Sequence, residues 1–162
     1  GTDVEYDAAQ GRGVVAGKTN VVAQRVVVNG GIRTLTDEQL ERARAKMREI
    51  VARNLPGTKA EITFEDGYPS MPPTEGNLAL LEEFDRVSRD LGHGPVEPFD
   101  PGRRGAADIS FVAQYVDALD GLGPHGWGSH SPEETLDVPS LTMAAQRAAV
   151  LIYRLTRGDA AT

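Results

Sequence analysis

The chain has 162 residues, 40% of them hydrophobic, a net charge of −7 and no cysteine. That length suits one medium domain or two small ones, with about two thirds of the unfolded surface taken into a core. The acidic balance argues against nucleic acid as a partner, and no apolar run reaches the ~18 residues of a membrane span. The missing cysteine excludes thiol catalysis, disulfides and cysteine-ligated zinc.

Zero cysteines fit the cytoplasm and the periplasm alike. Gly1 stands where a methionine would start a gene, which fits a processed or tagged N-terminus. Residues 1–10 are polar and read as poorly tied down. Residues 13–35, "GVVAGKTNVVAQRVVVNGGIRTL", are rich in valine and punctuated by glycine. They predict two strands, 13–16 and 22–34, with a turn at Gly17–Lys18. Gly30–Gly31 inside the second strand suggests a bulge or a close backbone approach.

Thr36-Asp37-Glu38-Gln39 is a capping box. Leu40, Ala43, Met47, Ile50 and Val51 follow at helical spacing, and Asn54, Pro56 and Gly57 stop the helix. Its basic residues interleave with acids, giving Glu38–Arg42 and Glu49–Arg53 pairs on a solvated face. Residues 58–66 alternate Ala60, Ile62 and Phe64 on one side, a half-buried strand. "GYPSMPPT" (67–74) has three prolines in eight residues, which marks a hinge and a domain boundary.

Beyond it Leu78, Leu81, Phe84, Val87 and Leu91 predict an amphipathic helix ended by Gly92. "PVEPF" reads as a short strand and residues 102–115 as a loop running into a short helix. "VDALDGLG" reads as a buried strand, and a last helix carries Leu141, Ala145, Ala148, Leu151, Ile152 and Leu155 up to Gly158. Helices and strands alternating in this way are the pattern of an α/β layer. The fold class is therefore α/β with an α+β part at residues 1–66.

The candidate chemistry gathers in residues 121–134, "GLGPHGWGSHSPEE". The glycines present His130 at the end of a loop, either as an exposed structural histidine or as a metal ligand. A catalytic zinc needs about three protein ligands, and His93 and His125 are the only other histidines. His93 follows a helix end, where a cation-capable side chain is common. Glu133–Glu134 precedes the last helix, where acids are expected from the helix dipole. Arg33, beside glycines in a strand, suits either a carboxylate clamp or an ion pair with a neighbouring acid. Asp108 either caps the short helix, the simpler role, or faces a cleft, and Arg103–Arg104 reads as a solvated loop.

Together these pieces resemble one family. "GLGPHGWGSHSPEETLDVPSL" is similar to the C-terminal signature of the dinuclear-zinc carboxypeptidases: a Leu-Gly-x-x-Gly loop, a histidine, a glutamate a few residues on, then the last helix. That family includes glutamate carboxypeptidase, succinyl-diaminopimelate desuccinylase, aminoacylase and carnosine dipeptidase. "RGAADISFVA" resembles its Gly-Gly-Ser/Thr-Asp segment. "KTNVVAQRVVVNGGIRTLTDEQ" resembles its lid stretch, in which Asn-Val-Ile/Val-Pro is followed by a strand ending in arginine. The similarity runs over nearly the whole chain and is strongest to bacterial glutamate carboxypeptidase-like members.

The resemblance implies a partial ferredoxin-like lid (β-β-α-β) over residues 1–66, used for homodimerisation. The C-terminal part of an α/β zinc-peptidase catalytic domain then covers 67–162. It implies His130 as a zinc ligand, Asn20 and Arg33 as binders of the substrate carboxylate, and the backbone of Gly105, Ala106 and Ala107 against the substrate. The complete family site holds two zinc ions and hydrolyses N-acyl amino acids or small peptides. Ala23 stands where the family has proline, and Ala106–Ala107 replaces a Gly-Ser/Thr pair. The family's His-x-Asp motif, bridging Asp, Glu-Glu pair and lid histidine would lie upstream of Gly1. The chain alone is then expected to be an inactive fragment, a non-catalytic dimerisation or binding module, or one half of a two-chain enzyme.

Overall fold

The structure is a computed structural model that describes residues 2–157. The chain divides into two compact units, Gly1–Arg33 and Thr34–Thr162. "GYPSMPPT", the expected hinge, lies inside the second unit between two helices.

The first unit is built on an antiparallel hairpin, β1 (Asp3–Asp7) with β2 (Arg12–Ala16). Residues 3–7, expected to be loose, are thus tied into a ladder. Asp7 Oδ1 accepts from the backbone N–H groups of Ala9 and Gln10 and fixes the turn. The second strand of the expectation, 22–34, forms no ladder among the described residues. Val22 is 94% exposed and Val28 88%. β-branched residues favour strands because they pack on a pleated, half-covered surface, and nothing described here supplies one. Gly30 and Gly31 make no close approach, so neither marks a bulge.

In the second unit, α1 (Asp37–Val51) starts at the expected cap: Thr36 Oγ1 accepts from Gln39 N–H. Gln39 Oε1 reaches back one residue further than a standard capping box, to Leu35 N–H at 3.0 Å. The Glu49–Arg53 pair forms. Glu38–Arg42 is not among the ion pairs of the described residues; Arg44 bonds Glu41 and Asp66 instead. Residues 58–66 form no ladder among the described residues, yet Ile62 and Phe64 are half-buried and their neighbours exposed. Arg44 and Arg48 of α1 cover the Phe64 ring at 5.4 and 5.0 Å, so the expected alternation holds at Ile62 and Phe64 but not at Ala60, which is exposed.

α2 (Glu75–Asp90) begins at Thr74, which caps Asn77 N–H. It ends in a Schellman motif: Gly92 has φ +76°, its N–H bonds Arg89 O, and His93 N–H bonds Ser88 O. α3 (Val138–Thr156) packs against it; the expected stop at Gly158 lies outside the described residues. Phe84, Val87 and Leu151 form the core, with Leu81, Leu91, Val96, Leu119, Leu122 and Val150 around them. Each of the three buried side chains contributes about 1.5–3 kcal/mol by leaving water. "PVEPF" and "VDALDGLG" are not strands. They run irregularly over the helices, held by side chains instead of a ladder: Asp85 accepts from Val96 N–H and Asn77 from Ala118 N–H.

Arg154 of α3 bridges to Glu83 and Asp90 of α2. His93 Nε2 lies 3.0 Å from Gln146 Oε1, while Arg147 donates to His93 O. The other side of α3 is apolar and exposed: Val138, Leu141, Ile152, Tyr153 and Leu155 are each half or more open to solvent. No helix among the described residues is long and apolar enough to cross a membrane.

Candidate functional site

The histidine loop folds as a small hairpin, β3 (Gly126–Trp127) against β4 (Thr135–Leu136). Its tip is closed by Ser131, whose N–H and hydroxyl both donate to Gly128 O at 3.0 and 2.7 Å. Glu133 N–H donates to the Ser131 hydroxyl. His130 sits in this turn, exposed, with φ +66°, the sole non-glycine with positive φ among the described residues. That left-handed conformation costs an L-residue roughly 1–2 kcal/mol, so the rest of the hairpin must impose it.

The base of the hairpin is bolted to the first turn of α3. Ser140 is 2% exposed. Its Oγ accepts from His125 N–H at 3.0 Å and donates to Asp137 O at 2.5 Å. Asp137 N–H donates to His125 O at 3.0 Å. Asp137 is the N-cap residue of α3, yet its side chain makes no cap bond; its Oδ2 lies 3.2 Å from His125 Nε2. The His125 ring meets Trp127 edge-on at 6.2 Å.

A cleft of about 360 Å³ opens beside the hairpin, walled by His125, Gly126, Ser129, Glu134 and Thr135 among others. A larger hollow of about 600 Å³ lies along Gln39, Arg42, Lys46 and Glu49. All of its lining comes from the single helix α1, so the hairpin cleft, walled by several segments, is the better candidate site.

The other expected site residues are placed as follows. Gly105 and Ala106 are exposed and Ala107 half-buried, in the loop before a 3-10 turn, Asp108–Phe111. Ala107 O accepts from the backbone N–H and hydroxyl of Ser110. Asp108 does not cap this turn; it accepts from Tyr68 OH at 2.9 Å, which raises the Tyr68 phenol above its ordinary value. No hydrogen bond among the described residues joins this loop to the His130 hairpin. In the first unit Asn20 lies in the turn after β2 and Arg33 at the end of the stretch without a ladder. Both are exposed, and neither bonds a described side chain. Among the described residues Arg33 therefore has no ion pair with an acid, the simpler expectation.

Sequence reasoning passed over His125, Asp137 and Ser140. The available signal was Asp137-Val-Pro-Ser140, an N-cap pattern before an apolar helix. It places the start of α3 earlier than the apolar spacing does. Glu133 and Glu134 belong to the hairpin and not to that helix.

The donor set does not fit a pair of metal ions. No group of three or more His, Asp or Glu side chains among the described residues is arranged to hold one. His130 is a single exposed ligand type, whereas a zinc site takes about three to four protein ligands.

The family described as peptidase family M20/M25/M40 matches residues 4–154. No curated protein and no solved structure matches the chain.

Proposed function

The chain belongs to peptidase family M20/M25/M40, peptidase-type hydrolases, and we propose that it supplies the substrate-binding and His130 portions of a metal-dependent carboxypeptidase-type centre. The substrate class is an N-acyl amino acid or small peptide with a free C-terminal carboxylate, as in glutamate carboxypeptidase-like members. Arg33 and Asn20 clamp that carboxylate; an exposed guanidinium without a described partner is available for two parallel bonds to it. The backbone of residues 105–107 lies along the substrate, and His130 is the metal ligand. Residues 1–66 serve as part of a ferredoxin-like lid through which two copies pair, and 67–162 as part of the α/β catalytic domain.

The observation that carries this reading is the family match over residues 4–154 together with a histidine held at a hairpin tip in a conformation that costs energy. Strain of that kind gathers at functional sites. The remaining ligands and the general base come from outside this donor set, so the chain by itself hydrolyses nothing. Large apolar side chains stand open to solvent, among them Val22, Val28, Val138 and Ile152, and exposed apolar patches favour association.

The test is zinc content per purified chain, with hydrolysis of an N-acyl-glutamate on the same sample. Less than one zinc and no turnover is the expected result. Nearly two zinc ions with turnover would mean that the chain assembles a full site and that the incomplete-centre reading is wrong.

A further inference from the structure

We infer that Ser140 and the Asp137–His125 pair are positioning residues for His130, forming a latch that sets the ligand loop from the first turn of α3. The inference rests on the reading of His130 as a ligand and extends it to residues that the family match does not single out. Four observations converge on it. Ser140 is the most buried group at the hairpin base, and its hydroxyl serves both chain segments, accepting from His125 N–H and donating to Asp137 O. The Asp137 N–H closes a second backbone bond to His125 O. Asp137 gives up the capping bond normal for its position and turns its carboxylate to His125 Nε2. The hairpin so anchored has only two paired residues on each side, and a ladder that short does not hold a turn alone. The left-handed His130 therefore depends on the anchor below it. Helix α3, packed on the core through Leu151, is the rigid body from which the imidazole is aimed.

The latch is read on the chain itself by solution NMR, without metal. The strong intraresidue Hα–HN NOE of a positive φ is followed at His130 in wild type, Ser140→Ala, Ser140→Thr and Asp137→Ala, alongside the thermal midpoint of the helices. Wild type shows the NOE. Ser140→Ala and Asp137→Ala lose it over most of the population, and Ser140→Thr, which keeps the hydroxyl, recovers it relative to Ser140→Ala. The idea is overturned if the NOE persists at wild-type strength in both alanine variants. Should Ser140→Ala also melt the helices, Asp137→Ala decides, because its side chain is only half-buried and makes no cap bond to α3. Since the readout needs no metal, a failed latch is distinguishable from a failed ligand assignment, which the zinc measurement tests.

Discussion

Gly126 lies so close beneath β4 that a Cβ on it would stand 1.8 Å from the carbonyl oxygen of Thr135. Backbone cannot yield there without breaking the two-residue ladder. Gly126→Ala is expected to open the hairpin at a local cost of about 1–3 kcal/mol, the usual range for overpacking. Trp127 is the single tryptophan, so its emission reports the change directly. Unaltered emission in the variant would show that the strands do not approach as described.

Leu151 joins Phe84 and Val87 in the core. Leu151→Ala is expected to destabilise the helical unit by about 2–5 kcal/mol, through lost burial and the cavity left behind. The exposed Leu155→Ala should cost far less. Urea unfolding followed by far-UV circular dichroism compares the two, and equal losses would place the core elsewhere.

Acid should weaken the helical unit. The hydrogen bond from Arg86, with Arg154 adding to it, holds the Glu83 carboxyl below its ordinary 4.5. Arg89, then the Val96 N–H, hold Asp85 below 3.8. A carboxylate whose folded value is depressed stabilises fully above the unfolded value, and loses that as pH falls through the folded one. The urea midpoint should therefore be level above about pH 5 and fall below pH 4. Glu83→Gln should flatten part of that slope.

Tyr68 should ionise late. Its hydroxyl donates to the Asp108 carboxylate, and that bond is lost on ionisation, so its value sits above the ordinary 10.0. Asp108→Asn removes the charge and is expected to bring one of the four tyrosines down in an ultraviolet pH titration. An unshifted curve would break the assigned pair.

If Arg33 clamps a substrate carboxylate, Arg33→Ala should weaken binding of N-acetyl-glutamate about 10-fold or more, the worth of a charged hydrogen bond. Arg33→Lys should recover only part, because an ammonium cannot make the two parallel bonds. Chemical-shift titration measures both. Equal affinity in all three proteins would remove Arg33 from the site.

The helices were legible in the sequence because their signals are local. Thr36 and Gln39 mark the start of α1, Gly92 marks the end of α2, and the apolar spacing of Leu81, Phe84 and Val87 names the face that is buried. The strands were less so. Val22 to Ile32 has strand composition, but a ladder requires a second segment, and composition says nothing about whether one is alongside. Residues 3–7 err in the other direction: polar residues enter a hairpin because Asp7 closes the turn. At the site, the loop could be read from its glycines and His130. The anchor could not, because Ser140 and His125 are fifteen residues apart and meet only once the hairpin has closed.

The division of the chain at Arg33 bears on handling of the protein. Arg25 and Arg33 are exposed, in a stretch with no ladder to shield their peptide bonds. A protease that cuts after arginine finds open sites there, as it does at the exposed Arg53 and Arg103. A cut after Arg25 or Arg33 would sever the segment bearing Asn20 from the helical unit that bears His130, and a preparation nicked there retains its helical signal while no longer carrying both halves of the proposed clamp-and-ligand arrangement on one chain.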